Sequence, residues 1–207
     1  MININKIIPA EVLIATTNKG KQREFAALLS VCPLVCRTPA ELGIALDVAE
    51  TGVTYAENST LKAEAFSRAA RFAVIADDTG LEVEALDGAP GLHSARFSSI
   101  PGATDADRRA KLLALLRDKP RPWTAVFQCV VALALPGEPV TLFTGSVRGE
   151  IIAQERGEHG FGYDRIFYIP EAGKTLAELD MEEKNDFSHR AVAVKKAIPY
   201  LLEKLVY

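Results

Sequence analysis

Ala73-Val74-Ile75-Ala76 runs directly into Asp77-Asp78-Thr79-Gly80, and the reading of this join decides the fold. Four apolar residues in a row, two of them β-branched, read as a buried strand. A buried strand that stops on two carboxylates leaves the core at that point, which places Asp77 and Asp78 at the rim of a cleft. Side by side at a strand end, the two acids repel each other unless a proton or a metal cation lies between them. Just downstream, Gly88-Ala89-Pro90-Gly91 is a stiff turn that leads through Ser94-Ala95 to Arg96, so anion, glycine and cation fall close together.

Upstream of this join, Val12-Leu13-Ile14-Ala15 reads as a buried strand, followed by a polar loop and a helix with Phe25, Leu28 and Leu29 on one side. After a short strand at 34–36, a helix is expected over 56–71, with Leu61, Ala65, Ala69 and Phe72 along its apolar stripe. Downstream, 81–86 alternates apolar and polar, the period of a strand with one wet face. Thr104 followed by Asp107 marks a helix start, with Ala110, Leu112, Leu113, Leu115 and Leu116 on the core side. The segments 123–135 and 140–152 are rich in β-branched and aromatic residues and join through Pro136-Gly137-Glu138-Pro139, a long hairpin. A short strand at 165–169 and a helix over 188–205, irregular at Pro199, complete the pattern. Alternation first and a hairpin later favour an α/β fold: a mixed central sheet with flanking helices. Neither a repeat nor a linker divides the chain, so residues 1–207 are read as one domain.

The 207 residues are 48% hydrophobic, enough for a well-filled core. With 24 basic and 27 acidic residues the net charge is −3, which argues against a broad basic face for nucleic acid or an anionic membrane. A polyanionic ligand must therefore meet a local cluster of cations. Cys32, Cys36 and Cys129 lack zinc or dithiol spacing and read as buried thiols. The opening Met1-Ile2-Asn3-Ile4-Asn5-Lys6 has no secretory pattern, and the longest apolar run, 130–136, is far short of a membrane span. A cytoplasmic protein is expected.

Further segments carry chemistry. Thr16-Thr17-Asn18-Lys19-Gly20-Lys21 follows the first strand and opens the first helix, where backbone N–H groups and the helix dipole face an anion. It is not a Walker A loop, and a plain solvated turn is the alternative. Glu50 precedes a glycine turn and is the best third carboxylate, or a surface acid; oxygen donors without His or Cys favour Mg²⁺ or Mn²⁺. Lys62 sits mid-helix, as many exposed lysines do. Gly160-Phe161-Gly162-Tyr163-Asp164 either offers a ring face to a planar base or packs as an aromatic pair at a tight turn. Lys184 precedes Ser188-His189-Arg190, whose serine suits an N-cap and whose next two residues leave the first helical turn.

Taken in order, Thr16-Thr17-Asn18-Lys19-Gly20-Lys21, Ala76-Asp77-Asp78-Thr79-Gly80-Leu81, Gly88-Ala89-Pro90-Gly91 with Ser94-Ala95-Arg96, Phe161-Gly162-Tyr163-Asp164, and Glu183-Lys184 with Ser188-His189-Arg190 resemble the signature of the inosine triphosphatase family. These are the non-canonical purine nucleoside triphosphate pyrophosphatases, also called Ham1-like or RdgB-like. The resemblance covers nearly the whole chain. It implies two lobes around a nucleotide-binding cleft (a Maf/Ham1-like fold), a homodimer, and hydrolysis of ITP, dITP and XTP to the monophosphate and pyrophosphate. It further implies Mg²⁺, with Mn²⁺ as the alternative, held by Glu50 and Asp78, while Asp78, Asp77 and Lys62 form the catalytic set. Lys19, Lys21, Lys62 and Arg96 would neutralise phosphate oxygens, with Thr16, Thr17, Asn18, Gly20 and Thr79 completing that end. Phe161, Gly162, Tyr163 and Asp164 would line the base, and Lys184, His189 and Arg190 would read the purine 6-oxygen. The chain departs from the family in having Thr79 where serine is usual and Arg165 where proline is usual. An aspartyl-phosphate phosphatase, a silent nucleotide sensor and an RNA-binding module are the rival readings; the first would release phosphate instead of pyrophosphate, the second would bind without turnover, and the acidic balance weakens the third.

Overall fold

The computed structural model describes residues 10–206; the reading of Met1-Ile2-Asn3-Ile4-Asn5-Lys6 lies outside them. In chain order the elements are β1 (Ala10–Ile14), α1 (Lys19–Leu29), β2 (Leu34–Arg37), α2 (Tyr55–Ala70), β3 (Ala73–Val83), β4 (Pro90–Gly91), α3 (Asp105–Leu116), β5 (Trp123–Ala134), β6 (Thr141–Ile151), β7 (Phe167–Ile169), β8 (Lys174–Thr175), α4 (Met181–Phe187) and α5 (His189–Leu205). The strands form a mixed sheet in the order β2-β1-β3-β5-β6-β7-β8, with β4 paired to β3. β1 is parallel to β2 and to β3; the other pairings are antiparallel. The expected α/β class with a mixed sheet and flanking helices is therefore what the chain adopts, including the β5–β6 hairpin.

β3 does not end at the acids. It runs eleven residues, through Asp77-Asp78-Thr79-Gly80 and on to Val83, absorbing half of the alternating segment at 81–86, whose remainder turns as Glu84–Leu86. The physical reason lies in how the cores divide. At one end of the sheet, Ala73 and Ile75 pack with Phe25 and Leu29 of α1 and Val194 and Leu201 of α5, while Val74 and Ala76 pack on the other face with Ala63 and Phe66 of α2. At the far end, Leu81 and Val83 join Leu112 and Leu116 of α3 and Ile166 and Phe167 in a second core. The polar quartet of β3 crosses the gap between the two, still paired residue by residue with β5 from Val131 to Gln128. Strand and cleft thus coincide, and the ladder supplies the backbone hydrogen bonds that a loop would have left open.

Helix starts follow the side chains expected of them. Asn18 caps α1 by accepting from the Lys21 N–H, Thr104 and Asp107 form a reciprocal box on α3, and Ser188 caps α5. Two expected stripes are corrected. In α2 the buried positions are Asn58, Ser59, Ala63 and Phe66 in place of Leu61, Ala65, Ala69 and Phe72, because Asn58 turns inward to donate to Asp78 and to accept from the Gly52 N–H. In α3, Arg109 is buried while Ala110 and Leu115 are exposed, since its guanidinium makes three hydrogen bonds, two to Glu155 and one to the Gly162 carbonyl. The expected strand at 165–169 shortens to β7, and α4, a seven-residue helix with an Asp180–Glu183 capping box, is too short to carry a periodic signal.

Candidate active site

Neighbours on a strand point to opposite faces, and so do Asp77 and Asp78. Asp77 faces α1 and α5. It is 1% exposed and accepts from Arg190 Nε at 3.2 Å and Nη2 at 2.8 Å, with Lys21 Nζ at 3.1 Å. Burial works against its charge, but Arg190 and Lys21 hold the carboxyl well below its usual value. Asp78 faces α2, where Asn58 Nδ2 donates to Oδ2 at 3.1 Å and Lys62 Nζ lies 3.6 Å from Oδ1. Burial pushes its carboxyl up, Lys62 opposes this, and the charge of Glu50 adds to it. The expected repulsion between adjacent acids is thus replaced by separation: each carboxylate has its own cation on its own face. Lys62 also donates to Glu50 at 2.8 Å, and Arg96 Nη1 reaches the other Glu50 oxygen at 3.5 Å, so Glu50 and Asp78 flank one ammonium group.

Behind Phe161 lies a buried ion network. Lys184 of α4 donates to Glu24 at 2.6 Å and to Asp164 at 2.7 Å, and Arg190 of α5 also bonds Glu24. Burial would raise the Glu24 carboxyl, yet Arg190 and Lys184 bring it down to about 2. Asp164, fully enclosed and sharing one cation, is pushed up by burial. Sequence reasoning missed Glu24. The signal was present: Glu24 lies one helical turn from Leu28 and next to Phe25, and an acid on that apolar face requires a buried cation.

The Phe161 ring rests on Gly20, where a Cβ would come within 2.3 Å of its Cδ1, and lies 5.4 Å from Lys184 Nζ and 5.9 Å from the Arg190 guanidinium. Gly162 at φ 62° turns the chain in the left-handed region. Tyr163 packs in the second core and donates its hydroxyl to the Ser94 carbonyl at 3.0 Å. His189 stacks on Phe127, ring centroids 4.6 Å apart and planes 11° from parallel. Burial, reinforced by Arg190, drives its imidazole well below the usual histidine value, so the ring is neutral, and its buried Nδ1 has no hydrogen-bond partner.

One cavity unites most of these groups. Asn18, Lys21, Glu50, Asp78, Thr79, Phe161, Gly162, Tyr163, Asp164, Lys184, His189 and Arg190 line it, together with Glu24, Asp105, Arg108 and Phe127, which the sequence did not single out. Asp77, Lys62, Gly20 and Arg96 stand directly behind this lining through the contacts above. Thr17 and Lys19 line a separate depression with Pro39 and Ile44, and the Thr16 hydroxyl accepts from the Asn18 N–H.

The sequence profile of the Ham1 family matches residues 12–200. The chain belongs to the Ham1 family. A dITP/XTP pyrophosphatase of Geobacillus kaustophilus is 51% identical over 90% of this chain and 91% of its own, and one of Bacillus subtilis is 42% identical over 92% and 96%. Among solved structures, a Ham1 protein of Staphylococcus aureus superposes with a TM-score of 0.80 at 40% identity, covering 94% of this chain and 99% of that one. One from Coxiella burnetii gives 0.82 at 36% identity over the same shares. In this Ham1 chain Thr79 keeps a hydroxyl in the cavity lining, while Arg165 points away toward Glu155, 3.7 Å from its Oε2.

Proposed function

We propose that this chain hydrolyses non-canonical purine nucleoside triphosphates, ITP, dITP and XTP, to the nucleoside monophosphate and pyrophosphate, removing deaminated purines from the nucleotide pool. The observation that carries this reading is one cavity with two chemically distinct ends. At one end Glu50 and Asp78 meet Lys62, Lys21 and Arg96; at the other an aromatic ring lies beside Lys184, His189 and Arg190. The names of the relatives agree with it.

At the first end, Glu50 and Asp78 would hold Mg²⁺, with Mn²⁺ as the alternative. No group of three His, Cys, Asp or Glu side chains suited to a metal occurs among the described residues, and a pair of carboxylates fits a Mg²⁺ that takes its other ligands from water and substrate phosphates. Bound there, the ion would neutralise triphosphate charge. Lys21, Lys62 and Arg96 add fixed positive charge around the phosphates, the electrostatic contribution that dominates this class of reaction. Asp78, with its raised proton affinity, is the better placed acid to take a proton from an attacking water, although a dication on the same carboxylate would lower that affinity. Asp77 is enclosed and doubly paired, so its part is to hold Lys21 and Arg190.

At the second end, Phe161 supplies a face for the purine, and donors from Lys184, His189 and Arg190 suit a 6-oxygen. A 6-amino group would meet donors with donors, a costly mismatch when buried. By the family resemblance the working form is a homodimer, and the opening sequence, which carries no secretory pattern, is the ground for placing it in the cytoplasm; no helix among the described residues is long and apolar enough to cross a membrane. The test is incubation of purified protein with ITP, dITP, XTP, ATP and GTP in Mg²⁺, with the released anion identified. Pyrophosphate from the first three supports the reading. Orthophosphate alone, or equal turnover of ATP, rejects it.

A further inference from the structure

Both backbone groups of Gly162, the residue between Phe161 and Tyr163, are held by side chains of one helix. Its N–H donates to Asp105 Oδ2 at 2.7 Å, and its carbonyl accepts from Arg109 Nη1 at 2.8 Å. Asp105 and Arg109 are four residues apart and share a face of α3. Arg109 also donates twice to Glu155 at the start of the same loop, Nε to Oε1 at 2.7 Å and Nη2 to Oε2 at 3.0 Å. This two-pronged pairing is the geometry that fixes a guanidinium in one orientation. The Arg109 side chain is 8% exposed. Its helix is anchored in the second core by Leu112 and Leu116, beside Ile166 and Phe167 that follow the loop.

We propose that Arg109, with Asp105 and Glu155, is a positioning clasp that sets the height of the Phe161 ring over the base end of the cavity and thereby tunes base affinity. Arg109 does not line the cavity; it acts through Gly162. The clasp fixes the loop through side chains where Arg165 stands at the position for which the family resemblance leads one to expect proline. Arg165 itself reaches Glu155 only at 3.7 Å, with both side chains well exposed, a pairing of small worth beside the enclosed Arg109 fork. The inference rests on the pyrophosphatase reading for the identity of the base, but the loop tether is measurable without it.

Three variants test it: Arg109→Ala, Arg109→Lys, which keeps the charge and loses the fork, and Glu155→Ala, which removes the more exposed partner of the fork and leaves the Arg109 side chain in place. In each, deuterium uptake should quicken in the segment 155–164 and stay unchanged in β3 and β5. The dissociation constant for IMP should rise about tenfold or more in Arg109→Ala, and less in Arg109→Lys and Glu155→Ala. Binding of magnesium pyrophosphate should hold, and ITP turnover should fall through KM with kcat retained. Unchanged uptake at 155–164 in Glu155→Ala, or equal losses of IMP and pyrophosphate binding in Arg109→Ala, would overturn the clasp. An unmodified chain that releases no pyrophosphate from ITP would instead overturn the functional reading, while the uptake result would still decide whether Arg109 tethers the loop.

Discussion

Glu24 is a carboxylate enclosed in an apolar helix face, and it is ionised only because Arg190 and Lys184 bracket it. Its folded proton affinity, about 2 against a usual 4.5, is depressed, so the stability it contributes is present above pH 4.5 and is lost as pH falls toward 2. That contribution is on the order of 3 kcal/mol. Glu24→Gln should therefore unfold more easily than the unmodified chain in urea at neutral pH, and the two curves should converge as pH approaches 2. A gap that stays constant with pH would mean that shape, not charge, explains the loss. The two adjacent acids separate in the same manner. Asp77→Asn leaves Arg190 and Lys21 short of a buried partner and should cost about 3–5 kcal/mol of stability. Asp78→Asn should instead leave the melting temperature near its original value and reduce ITP turnover at least ~100-fold. Calorimetry and a steady-state assay on both variants check the contrast. The residue types of this site were legible in the sequence, since acids, lysines and the Phe161 turn stand in plain motifs. Their pairing was not, because Glu24 with Lys184 and Asp77 with Arg190 are separated by more than a hundred residues and no local period records which cation meets which acid.

Elements with a strong local signal are legible in the sequence for a physical reason: the β5–β6 hairpin has a turn sequence and β propensity in agreement, and α5 has a serine cap ahead of an apolar stripe. The apolar signal of β3 stops at Ala76 while the strand runs on to Val83, because hydrophobicity measures burial and the middle of the strand crosses from one core to another through a polar gap. The inward faces of α2 and α3 depart from their apolar stripes where the site, not the core, dictates what turns inward, as Asn58 and Arg109 do. Strand and helix also approach closely at Gly145 of β6. A Cβ there would strike the backbone of α5 at the His189 carbonyl and the Ala193 nitrogen. Gly145→Ala must therefore lift the first turn of α5, the turn that bears His189 and Arg190. A loss of about 1–3 kcal/mol is expected from the overpacking, together with a raised KM for ITP. A thermal melt and a substrate titration on the same preparation measure both, and a stability loss with unchanged KM would show that α5 absorbs the strain away from its N-terminal end.

At the scale of the molecule, two cores share one sheet and the site occupies the seam. Ion pairs bind the seam from both sides: Arg190 of α5 joins Asp77 of β3 to Glu24 of α1, and Lys184 of α4 ties Glu24 to Asp164 of the loop before β7. A ligand that touches both ends of the cavity therefore bridges both cores, and unfolding either one must release it. Ligand present at about 100 times its dissociation constant stabilises by roughly 2.7 kcal/mol, or about 5–10 °C for a chain of this size. IMP with magnesium pyrophosphate should raise the melting temperature by such an amount, and by more than either component alone. Chelation with EDTA should remove the pyrophosphate share. It should leave the ligand-free melting temperature where it was, because Lys62 already lies between Glu50 and Asp78 and balances charge that would otherwise repel. A ligand-free chain that melts earlier in EDTA would mean that the two carboxylates need a bound cation to fold and that Lys62 alone does not balance their charge.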